Sequence, residues 1–569
     1  MSFDLRTNAR KVPTQPRCFR RGTIRVALVS SICLLAASCG EGGDGTADEV
    51  TTASVESTAS GNTSVESSDS RSDPDQGFAV DSVRVQQTES VTTLDPAQSA
   101  NIANHQTIVL TGGQLFRLSQ SRVAEPELAE SIERSSDGLT ATVRLREDLK
   151  YSDGTPVVAA DAVRAFERLK ELKSAAGGSL LGAVDDVSAP DETTIVFSLN
   201  RRDPYLESSL GQYALILHPA ERVADADAAE EYFTNPVSAG PYMVKDWIPG
   251  TPRVLLEANP SYFRGTPAIG NIELVSIADP TSTVSQLQSG SIDFAFGIPS
   301  AAIDSFSADV RVFPHAIGGT YHIASLLASD GPLGDPTVQQ AMSLALDRDE
   351  IVEKAFLGTV EPSVAFTYSS APDFPGPTLP NGGKQDLDEA RRLLATTQWP
   401  DGFKFELQYW SVRDGLEQGA LLISEQLGKI GIDVELRPMD IAESLETLTE
   451  GDFDAVFIGN QGVPAAQQMR NWTCDASWGS FTRYSLEFDG LTYGGVDPEL
   501  CSLSNAALSA SSVEEGAELL RDLEARAVAT LPVIPLADRA TMAASRIPEG
   551  LFEVVENDVL IWVATMEEL

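Results

Sequence analysis

The sequence predicts an α/β protein that is built from more than one domain. With 569 residues, the chain is too long for a single hydrophobic core. The hydrophobic pattern gives a strand at 272–275, a helix at 282–289 and another strand at 290–294, which is the β-α-β order of an α/β lobe. Hydrophobic residues make up 42% of the chain and charged residues 22%, so the composition is that of a folded globular protein.

The amino terminus has the pattern of an export signal. A basic segment leads into an apolar run at 26–37, which is too short to span a bilayer, and small residues then precede Cys39. These small residues resemble the lipobox of bacterial lipoproteins. We expect residues 1–38 to be a signal peptide and Cys39 to be lipidated; cleavage without a lipid is the alternative. The pair Arg20 and Arg21 is compatible with both general secretory and twin-arginine export.

The mature chain that begins at Cys39 is strongly acidic, with 34 basic and 82 acidic residues and a net charge of −48. A field of this sign argues against nucleic acid and anionic membrane surfaces as partners. Residues 39–78 are rich in Gly, Ser, Thr, Asp and Glu and predict a disordered acidic tether with a reach of roughly 35 Å. We therefore expect a monomer at the outer face of the cytoplasmic membrane or in the periplasm, attached to the membrane through its lipid only.

The most regular pattern of the folded part lies at 126–170. Residues 140–146 alternate strictly between apolar and polar side chains, which is the period of a half-buried strand. Turn residues stand on both sides, at 136–138 and 152–156, and a helix follows with Asp161 in its first turn. These residues alone predict a β-turn-β-turn-α scaffold without catalytic chemistry.

The same stretch resembles one known family. The letters LAESIERSSDGLTATVRLREDLKYSDGTPVVAADAV at 128–163 resemble the marker segment of the family 5 extracellular solute-binding proteins, the dipeptide- and oligopeptide-type receptors of ABC importers. One departure is Tyr151, where the family usually has Trp. The resemblance covers about residues 80–569. Further matching segments are LDP at 94–96, GPY at 240–242 and NPSYF at 259–263.

The resemblance implies a two-lobed fold of the periplasmic-binding-protein type, type II, with an extra small α+β subdomain in the first lobe. The chain should cross between the lobes near 311–327 and again near 532–536, and 559–563 should then add a closing strand. The expected boundaries are a first lobe at 79–312, with the inserted subdomain at about 120–230, a second lobe at 313–530 and a return to the first lobe at 531–569.

The second lobe should alternate helices and strands. Asp335 and Pro336 form a strong helix start, because Asp suits the N-cap position and Pro the first helical position. The further predicted elements of this lobe are helices at 347–356, 416–430 and 514–529 and strands at 403–410, 432–436 and 453–458.

The sequence contains no recognisable catalytic or metal-binding motif. Its four histidines lack metal-ligand spacing, and no nucleophile elbow, phosphate-binding loop or zinc-protease motif is present. We therefore expect no enzyme activity, no cofactor and no metal. Two alternative functions are kept: a lipoprotein hydrolase without a motif, and an envelope sensor or adhesin that retains the fold without transport.

A cleft between two lobes is the default site for a small molecule, and a ligand that contacts both lobes selects the closed form. Each aromatic candidate for this cleft has a plain alternative role in the hydrophobic core. The expected partners are a small-molecule or peptide ligand and the permease subunits of an ABC importer. By position in the family, the expected ligand-binding residues are Gln114 and Leu115 in the first lobe and Tyr321, His322, Tyr409, Trp410, Asn460, Gln461 and Trp472 in the second.

The chain departs from the peptide receptors of the family in the segment that holds the amino group of the peptide. Where those receptors carry an Asp, this chain reads GNQGVPAAQQMRNW, and no carboxylate occurs between Asp454 and Asp475. A buried ammonium needs a paired charge. We therefore expect a free peptide amine to be bound poorly and a neutral, hydroxyl-rich solute to be bound better. Peptides, oligosaccharides, opines and metal chelates all remain open as ligands.

Two cysteines remain after Cys18 and Cys33 leave with the signal and Cys39 takes the lipid. In an oxidising compartment we expect Cys474 and Cys501 to form a disulfide; two free thiols are the alternative. Metal ligation is not expected there, because neither His nor a second cysteine pair stands near them in the sequence.

Overall fold

The structure is a computed structural model. The predicted signal peptide, most of the tether and Cys39 lie outside the residues that it describes. Within the described residues, no helix combines the length and the apolarity that crossing a bilayer requires. The described residues are 78–569 without 100, 120–122, 175–180, 326–330, 412–414, 441–442, 444–446, 448–452, 460–463, 474–485, 489–490, 494–497, 529–532 and 556–559.

Strands are present in both lobes, in one large sheet and in several small sheets. Within the described residues they are β1 (Val80–Gln87), β2 (Phe116–Leu118), β3 (Ala124–Pro126), β4 (Ala129–Arg134), β5 (Thr140–Leu145), β6 (Val184–Ser188), β7 (Thr194–Leu199), β8 (Tyr242–Trp247), β9 (Arg253–Ala258), β10 (Ile269–Ser276), β11 (Phe294–Ile298), β12 (Arg311–Ser325), β13 (Lys404–Trp410), β14 (Asp433–Met439), β15 (Ala455–Gly459), β16 (Leu486–Phe488), β17 (Leu491–Tyr493), β18 (Val533–Ser545), β19 (Phe552–Val555) and β20 (Leu560–Val563).

Several α-helices begin and end close to positions that the sequence predicts, and the others were not predicted. The predicted helix at 416–430 is α9, and the predicted helix at 514–529 is α12. Within the described residues the helices are α1 (Ile102–Thr111), α2 (Ala159–Glu171), α3 (Leu206–Leu210), α4 (Ala226–Tyr232), α5 (Pro280–Ser289), α6 (Pro336–Ala345), α7 (Arg348–Ala355), α8 (Leu387–Leu394), α9 (Leu416–Gly428), α10 (Ala465–Thr473), α11 (Pro498–Leu508) and α12 (Val513–Ala527).

The predicted helix start at Asp335 is confirmed by a cap. The Asp335 carboxylate accepts a hydrogen bond from the Thr337 amide at 2.8 Å, and Pro336 occupies the first helical position of α6. Such a cap satisfies an amide that has no partner inside the helix.

One ten-stranded sheet extends through both lobes in the order β14-β13-β15-β12-β18-β11-β1-β10-β9-β8. Strand β1 is parallel to β10 and to β11, and β13 is parallel to β14 and to β15. Strands β13, β14 and β15 contribute to one hydrophobic core, whereas β1, β9 and β10 contribute to another. Parallel strands that alternate with helices on each half of the sheet make this an α/β fold.

Strands β12 and β18 form a long antiparallel ribbon in the middle of the sheet. The Arg311 end of β12 lies in the first lobe, because the part of β18 that pairs there also pairs with β11. The Ser325 end lies in the second lobe, because it pairs with β15. The ribbon is therefore a connection between the two lobes.

A separate four-stranded sheet, β4-β5-β7-β6, and α2 form a small α+β unit in the first lobe. The predicted strand at 140–146 is confirmed as β5, with burial that alternates along it. Asp161 holds the start of α2 by accepting hydrogen bonds from the Val158 amide at 3.0 Å, the Ala220 amide at 2.8 Å and the Tyr151 hydroxyl at 2.9 Å. This residue is therefore a buried structural acid, and burial raises its pKa.

The last strand differs from the expectation in its pairing. The predicted strand at 559–563 is present as β20, but within the described part of the chain it pairs with β19 in a two-stranded sheet. It does not extend the ten-stranded sheet there. The side chain of Trp562 explains this position, because it is buried in a cluster with Val109 of α1 and Val555 of β19.

Candidate functional site

The strand directions place two sheet edges opposite each other. Strands β1, β10 and β11 run in the same direction as β12, so their carboxyl ends point towards the second lobe. Strand β15 is antiparallel to β12, so the carboxyl ends of β13, β14 and β15 point back towards the first lobe. Ligands of open α/β sheets bind outside the carboxyl ends of the strands. The candidate site therefore lies beside the middle of the β12–β18 ribbon.

The middle of the ribbon is irregular on both strands: β18 has one extra residue between the Tyr321–Ala537 and His322–Pro535 pairs, and β12 has a longer insertion just before them. Ala316 pairs with Ala540 and Thr320 pairs with Asp538, so β12 has two more residues than β18 between these pairs. The extra length includes Gly318 at φ 68° and Gly319 at φ 77°, backbone conformations that glycine adopts without steric cost. This bulge lies between the first-lobe end and the second-lobe end of β12.

Tyr321 lies directly after this bulge. Its ring stacks on Phe356, with ring centroids 4.9 Å apart and an interplanar angle of 19°. The guanidinium carbon of Arg539 lies 5.6 Å from the centroid of the Tyr321 ring, a cation–π distance. Tyr321 pairs with Gly459, and a Cβ added at Gly459 would lie 2.6 Å from Cδ of Arg539. Arg539 thus covers the end of β15.

His322 is fully buried. Its Nδ1 lies 3.1 Å from the Thr320 carbonyl oxygen, and burial lowers the pKa of His322 to about 4. The imidazole is therefore neutral at pH 7 and belongs to the interior of the ribbon rather than to an open surface. Its assignment to ligand binding stays a prediction.

Tyr409 and Trp410 form the carboxyl end of β13, which borders the candidate site. Each side chain is only 6% exposed, and both belong to the hydrophobic core of the second lobe. Burial raises the pKa of Tyr409. Their position is that of the predicted ligand-binding residues, but their contacts are those of core residues.

Gln114 and Leu115 lie in the first lobe, and their described contacts are with other first-lobe residues. Gln114 is 1% exposed and donates from Nε2 to the Gly211 carbonyl oxygen at 2.7 Å. Leu115 is fully buried in the core of the α+β unit. The structure gives both residues structural contacts, and their roles towards a ligand stay predictions.

Four predicted residues of the second lobe fall partly or wholly outside the described part of the chain. Asn460, Gln461 and Cys474 lie in undescribed segments, and Trp472 lies in α10 without a described side chain. Cys501, on α11, is disulfide-bonded. The pairing of Cys501 with Cys474 stays a prediction.

Sequence reasoning missed two charged residues of the ribbon, Asp538 and Arg539. The Asp538 carboxylate accepts hydrogen bonds from Ser369, through its amide at 2.7 Å and its hydroxyl at 2.5 Å, and burial raises its pKa. Asp538 and Arg539 are the charged residues of an otherwise uncharged strand, β18. An adjacent charged pair inside such a strand is the signal that would have identified them.

The fold and the facing sheet edges are those of a two-lobed solute-binding protein. Residues 123–480 match the family model described as bacterial extracellular solute-binding proteins, family 5 Middle. The chain therefore belongs to the family 5 solute-binding proteins, whose members bind solutes for ABC import.

Two curated relatives carry the same name. The glutathione-binding protein GsiB of Escherichia coli O1:K1 / APEC is 30% identical over 387 residues, which are 64% of this chain and 71% of that protein. GsiB of Shigella boydii serotype 4 is 29% identical with the same coverage.

Solved structures share the fold at lower identity. The ABC transporter substrate-binding protein CtaP of Listeria monocytogenes superposes with a TM-score of 0.72 at 19% identity, covering 85% of this chain and 99% of CtaP. DppA of Helicobacter pylori in complex with the peptide STSA gives 0.64 at 18% identity, with 85% and 98% coverage. AgaA in complex with agropinic acid, from A. tumefaciens R10, gives 0.63 at 22% identity, with 84% and 95% coverage.

Proposed function

We propose that this protein captures a small polar solute between its lobes and presents it to the permease of an ABC importer. The observation that carries this proposal is the arrangement of two sets of parallel-strand carboxyl ends on opposite sides of a bulged ribbon. A solute at this position contacts both lobes only when they close around it. Binding therefore favours the closed form, and the permease has one shape to recognise.

The charge of the ribbon supports a neutral or anionic solute. Arg539 brings a guanidinium to Tyr321 and to the end of β15. The adjacent carboxylate, Asp538, accepts two hydrogen bonds from Ser369 and a longer one from the Ser363 hydroxyl at 3.4 Å. A guanidinium repels an ammonium and pairs with a carboxylate. A solute with a carboxylate, or a hydroxyl-rich neutral solute, therefore suits the site better than a peptide held by its free amine.

The names of the relatives support the same class of ligand. GsiB is named for glutathione, and the solved structure of AgaA contains agropinic acid. The DppA structure contains a tetrapeptide. Peptides thus remain within the proposed range of ligands. We propose only that a peptide is not held by its free amine.

The experiment that identifies the solute is mass spectrometry of the small molecules released when the purified protein is denatured. A thermal-shift panel should then compare glutathione, oligosaccharides, peptides of two to five residues and the same peptides with acetylated amines. We expect stabilisation by acidic or neutral solutes, and equal responses to free and acetylated peptides. Micromolar binding of ordinary peptides that disappears on acetylation would contradict the proposed ligand class.

The cellular place of the receptor is also part of the proposal. We infer a monomeric lipoprotein without catalytic activity, anchored through Cys39 at the outer face of the cytoplasmic membrane. Cys39→Ala should release the protein or leave it unprocessed. A processed Cys39→Ala protein that still partitions into detergent like the wild type would contradict the anchor. Permease and ATPase genes beside this one would favour import over a sensor or adhesin.

A further inference from the structure

The phenol of Tyr205 crosses from the first lobe into the second. Tyr205 directly precedes α3 of the α+β unit, yet it is 5% exposed and packs in the hydrophobic core of the second lobe. Its hydroxyl donates to the Asp373 carboxylate at 2.5 Å. A Cβ added at Gly516 of α12 would lie 3.2 Å from this hydroxyl oxygen. The side chain thus ends in a closely fitted pocket of the other lobe.

The Asp373 carboxylate accepts hydrogen bonds from other donors besides the Tyr205 hydroxyl. It is fully buried, and its carboxylate also accepts from the amides of Ala465 at 2.7 Å and Ala466 at 2.9 Å, the first two residues of α10. Helix α10 follows β15, and the carboxyl end of β15 borders the candidate site. One carboxylate therefore holds the start of a helix beside the candidate site and the hydroxyl of Tyr205.

A second contact lies near this one. The Arg201 guanidinium donates from Nη1 to the carbonyl oxygen of Leu508, the last residue of α11, at 3.1 Å. The five residues 201–205 thus make two separate hydrogen bonds to the second lobe. Neither bond involves a residue of the β12–β18 ribbon, so the lobes are held by side-chain contacts in addition to the connection between them.

We propose that the Tyr205–Asp373 hydrogen bond is a latch that holds the two lobes together and sets the balance between the closed and open receptor. This inference rests on the proposed function, because it assigns a regulatory contact to the same interlobe movement. When the lobes separate, Tyr205 has to leave its pocket, and the Asp373 carboxylate keeps only its two amide donors. Removing the Tyr205 hydroxyl removes the hydrogen bond to Asp373, while the aromatic ring still fills the pocket.

Hydrogen exchange of the full-length protein tests the latch without a known ligand. The protein is first unfolded in guanidinium and refolded to remove bound solute, and amide exchange is then followed in Tyr205→Phe. A hydrogen bond to a charged group contributes enough that its loss should raise the open population about tenfold. We expect faster exchange on both sides of the contact, in 201–210 of the first lobe and in 465–473 and 498–508 of the second.

A matched control is available inside the first lobe. The Tyr262 hydroxyl donates to the buried Glu127 carboxylate at 2.5 Å, so Tyr262→Phe removes a bond of the same chemistry that joins no second-lobe residue. Tyr262→Phe should leave exchange in 465–473 and 498–508 unchanged. If Tyr205→Phe accelerates exchange in 201–210 alone, or if both variants behave alike, the latch is wrong. Either result leaves the solute-binding proposal standing, since that proposal is tested by the released ligand.

Discussion

The Glu524 carboxylate accepts a hydrogen bond from the Thr367 hydroxyl at 2.6 Å in the interior of the second lobe. It also accepts from the Phe366 amide at 3.0 Å and from the Thr378 hydroxyl at 2.5 Å. Glu524 is fully buried, and burial raises its pKa to about 7 in spite of these donors. The residue ties α12 to the segment 366–378, and the folded protein holds its proton more tightly than the unfolded chain does.

We expect this carboxyl to make the free energy of unfolding depend on pH. Between about pH 4.5 and 7 the folded state binds the proton and the unfolded state has lost it, so stability falls as the pH rises through this window. Glu524→Gln should remove this pH dependence. The difference between the free energies of unfolding of the variant and of the wild type should therefore increase by up to about 3 kcal/mol in favour of the variant between pH 4.5 and pH 8. Urea unfolding at both pH values measures the difference.

The control for Glu524 lies on the same helix. Glu518 is exposed, so Glu518→Gln should shift the free energy of unfolding by a similar small amount at both pH values. An unchanged pH dependence in Glu524→Gln would show that the carboxyl titrates alike in the folded and the unfolded chain.

A second prediction compares two glycines with positive φ. Gly402 has φ 94°, and a Cβ added there would lie 1.8 Å from the Gly431 carbonyl oxygen. Gly154 has φ 87°, but a Cβ would meet no atom within 4 Å. Gly154→Ala should cost about 1 kcal/mol from the left-handed backbone alone, whereas Gly402→Ala should cost about 3 kcal/mol or more because the backbone has to move. Chemical denaturation measures both, and equal losses would contradict the contact.

A third prediction concerns Arg539. Once the released solute is known, Arg539→Gln should weaken the binding of an anionic solute about tenfold or more, since bonds to charged groups are the strong ones. The solute-free protein should also lose some stability, because the contact of Arg539 with Tyr321 is lost, so affinity is measured at a temperature at which both variants are folded. Arg437→Gln is the control of equal charge, because Arg437 lies on the edge strand β14, separated from the ribbon by two strands, and pairs with Glu406 and Glu443. Calorimetry measures both, and equal affinities of the two variants would exclude Arg539 from the site.

A fourth prediction concerns the partner of Cys501. We expect Cys474 to be that partner, which closes a loop and stabilises the fold by about 3–4 kcal/mol in the chain-entropy account. Thiol titration of the denatured, unreduced mature protein should find neither cysteine free. Two reactive thiols would contradict the pairing, and a peptide map of the oxidised protein would show any other partner.

The local elements were predictable from the sequence because their signals are local. The alternation at 140–146 gave β5, the Asp335–Pro336 pair gave the start of α6, and the helical period gave α9 and α12. Each of these signals depends on residues within a few positions of one another. The family resemblance supplied the two-lobed architecture, which no periodicity in the chain reveals.

The contacts between distant segments were not predictable in the same way. Nothing in the sequence distinguishes Tyr205 from an aromatic residue of a hydrophobic core. Its hydrogen-bond partner Asp373 lies 168 residues further along the chain. Arg539 lies in a strand whose other residues predict only burial. Family position indicated Tyr321 as a ligand-binding residue, which stays a prediction, but it gave no sign of the Arg539 guanidinium that lies over the Tyr321 ring.

The ribbon also determines how the second lobe is joined to the rest of the chain. Ala324 pairs with Val533, so the chain leaves this lobe beside the point where it entered. A segment whose two ends are adjacent can be inserted, lost or replaced without displacing its host. Grafting 326–532 from a relative onto this first lobe should therefore yield a folded chimaera, in which one wall of the binding site is new and the other is retained.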